Sequence, residues 1–378
     1  MEIRLRTLTP LWTGGVDGTC DRLHETGIIG SLRWWYEAIV RGLGGSACDP
    51  TSHTCTFDKE RHTKAKRQGK SERDSLYDAG LCDVCQVFGT TGWKRRFHMK
   101  VVDDRTRFAW DSPDTLNVRP PDRNRGWYLL PGRVGTFNLQ VSGDAQTLRI
   151  LASLLLFLER WGNLGAKPQL GYGVFALSNR DQVKAYAKHQ EWEVMGTEGP
   201  SAKPELPDLR RFGFIRYRFQ PRSANWWTKV PGMERLLGSR NMASALQRVA
   251  KGAGESPPAV PLTPSLKNEW RFHRWKGSQD DEMRMFGTLR WKQQGDEGVS
   301  LRSKIGLSWA YPSNDSWEVR GWAWLQKAHS AADVWTLLQD EGGWQQVIGV
   351  QGTLESKPKG PWREWNTQEV AAFLEEIQ

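Results

Sequence analysis

The sequence predicts an α+β fold built from two modules that share one pattern. Residues 2–8 and 212–219 each alternate apolar with polar or charged side chains, which is typical of a half-buried strand. Residues 32–41 and 148–161 place apolar side chains at helical spacing. In addition, one seven-residue motif occurs once in each module. Strands and helices are therefore expected to mix within each module.

The repeated motif reads F-G-T-x-x-W-K. It spans residues 88–94 in the first module and 286–292 in the second. Chance repetition in a chain with 21 tryptophans is one explanation. The other is a duplicated β-α-β type unit, with one copy in each module.

The first module is expected to cover residues 1–194. Its helix over 32–41 is predicted to begin at Ser31 as N-cap and to end at Gly42 and Gly44. Residues 45–86 read as a polar insertion with a charged, mobile middle, because they contain few apolar side chains. Further strands are expected at 97–103, 116–119 and 134–141.

The second module is expected to cover residues 209–378, after a linker at 195–208 that is rich in Gly, Pro, Glu and Lys. Four prolines between 252 and 264 indicate a surface loop. The remaining elements follow from apolar patterning: strands at 286–292, 301–310 and 317–324, and helices at 330–340 and 366–377.

Charge and tryptophan content favour a polyanionic partner. The chain has 53 Lys and Arg against 43 Asp and Glu, a net charge of +10. A basic surplus suits nucleic acid because phosphate binding releases counterions, although a modest surplus also serves solubility alone. Tryptophan is a core anchor, an interface residue and a stacking platform for bases. Apolar content of 38% excludes a wholly disordered chain.

The sequence predicts a cytoplasmic protein. No stretch approaches the ~18 apolar residues of a membrane span, and the N-terminal residues lack a secretory apolar region. The chain has five cysteines, which are odd in number and clustered in the sequence. Both features fit a reducing compartment better than a disulfide framework.

Four of those cysteines predict a structural zinc site: Cys48, Cys55, Cys82 and Cys85. The C-x2-C pair presents two thiolates from one short turn, and metal binding would supply folding energy to a segment poor in apolar residues. Four protein ligands leave no open position for catalysis. The alternative is four free thiols. His53 could replace Cys55, with His62 as a weaker substitute, and Cys20 is a lone thiol.

Three stretches are candidate RNA contacts. The glycine loop, residues 165–173, could bring backbone N–H groups close to phosphates, but its spacing alone favours an ordinary turn. The second candidate is the predicted helix start at Gly30 and Ser31, where Arg33 and Arg41 would add positive charge. The alternative is an ordinary capped amphipathic helix. The basic segment, residues 93–96, interleaves cations with aromatics, or is simply a solvated strand end.

Catalytic motifs are absent from the sequence. There is no G-x-S-x-G, no H-E-x-x-H and no paired-aspartate metal motif. His24, His98 and His273 are the candidates that a ribonuclease would use. A lone histidine in a basic chain is more often structural or a phosphate donor, so no enzyme activity is predicted.

Four stretches resemble the RAMP superfamily of CRISPR–Cas proteins, and within it the first subunit of the type III-B (Cmr) effector complex. They are residues 8–14 (LTPLWTG), 25–37 (ETGIIGSLRWWYE), 82–93 (CDVCQVFGTTGW) and 165–173 (GAKPQLGYG). After the linker only the repeated motif supports the resemblance. The insertion between Cys55 and Cys82 and the proline-rich loop at 252–264 depart from it.

The resemblance implies two tandem ferredoxin-like (RRM-like) modules, the first carrying the zinc-binding insertion. It implies a non-catalytic subunit that contacts the crRNA 3′ region and target RNA at the end of a backbone filament, beside other type III subunits, in antiviral defence. A RAMP-type metal-independent endoribonuclease and a protein scaffold with a Trp-rich surface remain the alternatives.

The residues expected to contact RNA come from both modules. In the first they are Gly30, Ser31, Arg33, Arg41, Trp93, Lys94, Arg95, Arg96, Lys167, Gln169, Gly171 and Gly173. In the second, chosen on charge alone, they are Arg274, Lys292, Arg302 and Lys304.

Overall fold

The computed structural model describes residues 1–52, 54–103, 105–111, 115–188, 192, 194, 206–252, 255–291, 299–325 and 330–377. His53, Lys292 and residues 195–205 of the predicted linker lie outside these ranges. No helix within them combines the length and apolar character that a membrane span requires.

The first unit carries a four-stranded antiparallel sheet. Its elements are β1 (Glu2–Thr7), α1 (Glu25–Gly42), α2 (Lys59–Arg67), α3 (Glu72–Asp78), α4 (Asp83–Phe88), β2 (Phe97–Val102), β3 (Arg107–Phe108), β4 (Leu116–Val118), β5 (Trp127–Leu129), β6 (Arg133–Val134), β7 (Thr136–Gly143), α5 (Ala145–Arg160), β8 (Phe175–Leu177) and α6 (Arg180–Ala187). The sheet order is β2-β7-β1-β8. The strands and the helices α1 and α5 follow a β-α-β-β-α-β order.

The second unit carries a five-stranded antiparallel sheet. Its elements are β9 (Phe212–Phe219), α7 (Met233–Leu237), α8 (Arg240–Lys251), α9 (Thr263–Asn268), α10 (Gln279–Phe286), β10 (Thr288–Trp291), β11 (Val299–Leu301), β12 (Ile305–Leu307), β13 (Tyr311–Ser313), β14 (Ser316–Trp324), α11 (Ser330–Gln339), α12 (Glu341–Ile348), β15 (Gly352–Lys357) and α13 (Thr367–Glu375). A π-helical turn, Glu269–Arg274, continues α9. Among the described strands of this sheet, β13 pairs only with β14. The other four strands are ordered β12-β14-β9-β15. Numbered along the chain within each unit, the four main strands of both sheets therefore lie in the order 2-3-1-4.

Helix α1 begins at residue 25, whereas the sequence predicted a start at residue 32. It opens at Glu25 with His24 as N-cap, so Ser31 lies within the helix and the predicted N-cap is wrong. Ile28 continues the buried face toward the N-terminus. Gly27 is tolerated because a Cβ there would lie only 3.0 Å from the Cβ of Thr13, which makes the small residue a packing requirement.

The insertion at 45–86 contains ordered helices where a mobile middle was expected. Asp58 accepts hydrogen bonds from the first turn of α2, and Ser71 does the same for α3. Both are N-cap residues of the preferred types. The two helices pack beside the four cysteines, three of which are buried.

Both hydrophobic cores draw on both units. Phe212 and Trp322 of the second unit join the core beneath the first sheet, while Trp110 and Tyr172 of the first join the core of the second. Arg320 on β14 donates to the carbonyls of Glu159 and Phe175 across the joint. Much of the tryptophan surplus is core: the fully buried set includes Trp35, Trp110, Trp161, Trp270, Trp309, Trp335 and Trp344.

Candidate RNA-binding cleft and metal centre

An open cleft of about 700 Å³ lies where the two units meet. Both units line it with cations and tryptophans. The first unit contributes Gly30, Ser31, Trp34, Lys167 and Gln169, and the second contributes Arg302, Lys304, Trp322 and Trp324. Six of the residues predicted as RNA contacts therefore meet on one surface, although they come from three separate stretches of the chain.

Aromatic faces stand beside the cations of this cleft. The ring centroids of Trp34 and Trp322 lie 5.6 Å apart, so each unit fixes the other's aromatic side chain. The Lys304 ammonium lies 5.4 Å from the ring centroid of half-buried Trp324. Cations next to partly exposed indoles can hold phosphates while bases stack.

Lys167 is held at the cleft by unusual local geometry. Its backbone is left-handed, with φ of 61°, and its ammonium lies 3.3 Å from the centroid of the Trp12 ring. Burial against these groups lowers the pKa of Lys167. The cation–π contact favours the charged form and orients the ammonium.

The glycine loop packs between the two units, and two of its backbone N–H groups are already bonded to the protein. A Cβ on Gly171 would lie 2.1 Å from Cδ1 of Trp309, and one on Gly173 would lie 2.0 Å from the carbonyl oxygen of Leu164. The backbone N–H groups of both glycines already donate to protein carbonyls, those of Pro168 and Pro10. Close packing, and not an exposed N–H, explains why glycine stands at these positions.

Second-unit side chains clamp the same loop. Lys267 donates from Nζ to the carbonyl of Gln169 at 2.8 Å, and Trp309 donates from Nε1 to the carbonyl of Leu170 at 2.7 Å. Lys267 is 4% exposed, and burial lowers its pKa to about 7. Nothing in the sequence distinguished this lysine, because lysines are almost always exposed.

The two arginines of α1 point away from the cleft. Arg41 is 2% exposed and donates to the carbonyls of Pro207, Ala47 and Cys48, which leaves it no surface to offer an RNA. Arg33 donates to Glu37 and approaches the cysteines. Burial contradicts the predicted RNA contact of Arg41, whereas that of Arg33, which is half-buried, stays a prediction.

The basic segment borders an open hollow of its own. Lys94 and Arg95 are exposed, while Arg96 is half-buried and pairs with Asp144 at 3.1 Å. The hollow also contains Trp93, whose Nε1 donates to the carbonyl of Gln86 at 3.1 Å and whose face is half-buried. An exposed cation pair beside an indole fits the predicted phosphate and base contact.

The four second-unit predictions fall into three situations. Arg302 and Lys304 lie in the cleft. Arg274 pairs with Glu269 at 2.7 Å and with Asp340, so both acids already compensate its charge. Lys292 lies outside the described residues. Lys304 and Arg96 occupy equivalent positions, because each donates its backbone N–H at 2.9 Å to the residue before the motif phenylalanine, Met285 and Val87 respectively.

The four predicted cysteines converge. The Sγ atoms of Cys48, Cys55, Cys82 and Cys85 all lie within 4.8 Å of one another, and those of Cys48 and Cys85 are 3.5 Å apart. A tetrahedral zinc with bonds of about 2.3 Å needs sulfurs about 3.8 Å apart. The cluster therefore has the donors and spacing that a metal ion requires. His62 instead lies 3.4 Å from Glu72 and packs on Phe57.

Mutual hydrogen bonds perturb these thiols strongly. Bonds donated by the other three cysteines lower the pKa of Cys48, and the bond it makes to Cys48 raises the pKa of Cys82. One shared thiolate is stable, whereas four thiolates need a cation at their centre. Arg33 supplies part of that charge, since its Nη2 lies 3.4 Å from Sγ of Cys85.

Residues 4–176 match the sequence model of the RAMP superfamily. This part of the chain, just under half of its length, is similar to that superfamily. The match includes all four cysteines of the metal centre and the residues by which the first unit lines the cleft. No curated protein sequence matches the chain.

Solved structures similar to this chain include "Crystal structure of Cmr1 from Pyrococcus furiosus (apo form)", at 14% identity and a TM-score of 0.37, covering 86% of this chain and 88% of that one. Two chains of the Type III-B Cmr-beta complex, described as bound to cognate target RNA, match at 11% identity and a TM-score of 0.36. They cover 100% of this chain and 98% of theirs.

The three candidate histidines lie in different settings. The His24 ring pairs with Asp21 at 2.7 Å, and the His273 ring lies 3.2 Å from Asp122. His98 is exposed on β2 and lines the hollow of the basic segment, where it stands beside Trp93 to Arg96.

Proposed function

We propose that this protein is a RAMP protein and a non-catalytic RNA-binding subunit of a type III-B CRISPR ribonucleoprotein. It contacts the crRNA 3′ region and target RNA at the end of the backbone filament and takes part in antiviral defence in the cytoplasm. The match of residues 4–176 to the RAMP superfamily model and the stretches around Trp34, Cys82 and the glycine loop support this assignment.

The cleft between the units is the observation that carries the proposal. It brings Lys167, Arg302 and Lys304 together with the indoles of Trp34 and Trp324. Phosphates of a single strand need spaced cations, and unstacked bases need aromatic faces. Within the cleft, no single stretch of the chain supplies both. A strand lying in the cleft would touch both units at once.

We further propose that the two units are tandem ferredoxin-like modules related by duplication. The shared strand order supports this, as does the equivalent placement of the F-G-T segments after α4 and α10. Duplication also accounts for basic residues at matching positions, Arg96 in the first unit and Lys304 in the second.

The four-cysteine centre is proposed to hold one structural zinc ion. Zinc prefers thiolate donors in tetrahedral sets, and it would join the segments around Cys48 and Cys55 to α4. With four protein sulfurs the ion has no open position for substrate, so its contribution is to folding.

Binding and cleavage assays together test the function. The purified chain, alone and with its partner subunits, is incubated with labelled single-stranded RNA at low and moderate salt. Salt-sensitive binding without cleavage is expected. Cleavage that His98→Ala abolishes would support a RAMP-type endoribonuclease. An assembled complex in which this chain never crosslinks to RNA would support a protein scaffold.

A further inference from the structure

Helix α2 is polar on almost every side. Ala65 is its one buried residue, and the rest of KERHTKAKR is exposed or half-buried. A helix without an apolar face cannot be stabilised by core packing, and a short one is marginal alone. Its stability must come from its ends and from what holds them.

The start of α2 is fixed by the four-cysteine centre and by the motif segment. Cys55 lies four residues before Lys59, and its carbonyl accepts a hydrogen bond from Thr90 at 2.6 Å. The backbone N–H of Phe57 donates to the carbonyl of Thr91 at 3.2 Å, and its ring lies 5.1 Å from that of Trp93. Asp58 then caps the helix. The helix therefore departs from the edge of the basic segment.

The cations of α2 divide into two groups. Lys66 pairs with Glu72 at 3.1 Å, and Lys70, just beyond the helix, pairs with Asp78 at 2.6 Å. Lys59, Lys64 and Arg67 instead line a shallow hollow on the other side, which the exposed carboxylate of Glu60 also borders, so that the hollow keeps a surplus of cations. Within the described ranges no acidic side chain forms an ion pair with any of these three.

We propose that this face of α2, formed by Lys59, Lys64 and Arg67, contacts phosphates of the bound RNA, and that metal in the four-cysteine centre keeps the face in place. The inference rests on the proposed RNA-binding function and extends it to the insertion. The three cations span about 12 Å along the helix at 1.5 Å per residue, enough for successive phosphates of one strand.

RNA is a better partner for this face than an acidic protein surface. Near the start of α2, Phe57 and His62 pack on Trp93, beside which Lys94 and Arg95 are exposed. Phosphates recur along a strand whatever its sequence, so a row of cations needs no matching shape. A protein interface would also require apolar side chains at its centre, and this hollow has none.

A pair of matched double variants tests the proposal. Lys64→Gln with Arg67→Gln removes two cations of the face, and Lys66→Gln with Lys70→Gln removes two that are paired with acids. Affinity of the full chain and of the assembled complex for a fluorescein-labelled single-stranded RNA is measured against salt. In the first variant, the slope of log affinity against log salt concentration should become shallower by about 1.4, at ~0.7 per single-strand phosphate contact. In the second variant the slope should stay at the wild-type value.

Metal removal supplies a second arm. Chelation should lower the RNA affinity of the wild-type chain toward that of the first variant, and helix content by circular dichroism should fall with it. The first variant should respond less to chelation in RNA binding. Chelation that leaves both helix content and affinity unchanged would overturn the role of the metal.

The outcomes separate this inference from the function on which it rests. A wild-type chain with no RNA affinity, alone or assembled, would contradict the proposed function. RNA binding that is equal in the two double variants would contradict the α2 inference alone. Loss of assembly with partner subunits in the first variant, at unchanged RNA affinity, would assign the face to protein docking instead.

Discussion

Arg33 and Arg271 make the same hydrogen bond in the two units of the chain. Each donates from Nη1 to the carbonyl of the glycine in the F-G-T motif, Arg33 to Gly89 at 3.0 Å and Arg271 to Gly287 at 2.9 Å. Both glycines have φ near 83°, at 82° and 84°. The motif is thus held by a long-range contact that the sequence repeat alone did not reveal.

Replacing either arginine by lysine should destabilise the fold. Each guanidinium also donates from Nε to a glutamate, Glu37 for Arg33 and Glu282 for Arg271. A single ammonium cannot reach both acceptors, so a loss of about 1.5–3 kcal/mol is expected for each variant. Denaturant unfolding checks this. Arg363→Lys, at an exposed pair with Glu369, should change little, and an equal loss there would contradict the assignment.

Gly171→Ala should loosen the joint between the units. The new Cβ would lie 2.1 Å from Cδ1 of Trp309, and φ is 96°. Gly349→Ala is the matched control, because Gly349 also has positive φ, at 82°, but open space around its Cβ. Thermal unfolding should show a loss of about 1–2 kcal/mol for the control and clearly more for Gly171→Ala. Equal losses would mean that backbone strain alone matters.

Stability should rise with pH above neutrality because of Lys267. Burial lowers its pKa to about 7 from 10.5, so between these values the unfolded chain binds the additional proton. The folded state then gains stability as pH rises, by up to about 1.4 kcal/mol per pH unit. Unfolding free energies of wild type and Lys267→Met, compared from pH 7 to 10, measure this. Parallel curves would show that Lys267 does not titrate there.

The cysteine centre predicts a bound metal. Purified protein should contain about one equivalent of zinc, and Cys82→Ser should lose it together with thermal stability. Cys20→Ser is the control, because Cys20 is buried but stands outside the cluster and donates toward the carbonyl of Leu11. Elemental analysis decides: metal well below one equivalent in the wild type would contradict the site.

Short-range patterns predicted much of the fold. Strand β9 was predicted at its observed bounds because it is rich in aromatic residues and because apolar residues alternate with arginines from Ile215 to Phe219. Helix α12 was missed because Gly342 and Gly343 resemble a break, although a Cβ on Gly343 would come within 3.1 Å of Nε1 of Trp270. Strand β15 was missed because Gly352 and Glu355 are untypical of strands.

Individual residues of the metal centre and of the cleft were predicted from the sequence, but the way in which the cleft brings its residues together was not. The four cysteines converge as their spacing indicated. Lys167, Arg302 and Lys304 were chosen separately, and the packing of the units that brings them together has no local signal. The prediction that Arg41 contacts RNA was wrong, because the charge of a residue does not reveal whether it is buried. Hydrogen bonds to three backbone carbonyls hold its side chain in the interior.

The most direct test of the cleft is the salt dependence of RNA binding by a triple variant. Lys167→Gln, Arg302→Gln and Lys304→Gln together remove its cations. The control removes three exposed lysines that lie outside it, Lys188, Lys251 and Lys359. Thermal unfolding of both variants verifies folding.

Titration of the assembled complex with single-stranded RNA, from about 50 to 200 mM salt, then gives the result. The cleft variant should lose about 2 from the slope of log affinity against log salt, at ~0.7 per phosphate contact, while the control keeps the wild-type slope. Equal slopes in the wild type and the folded cleft variant would contradict an RNA-binding cleft between the two units.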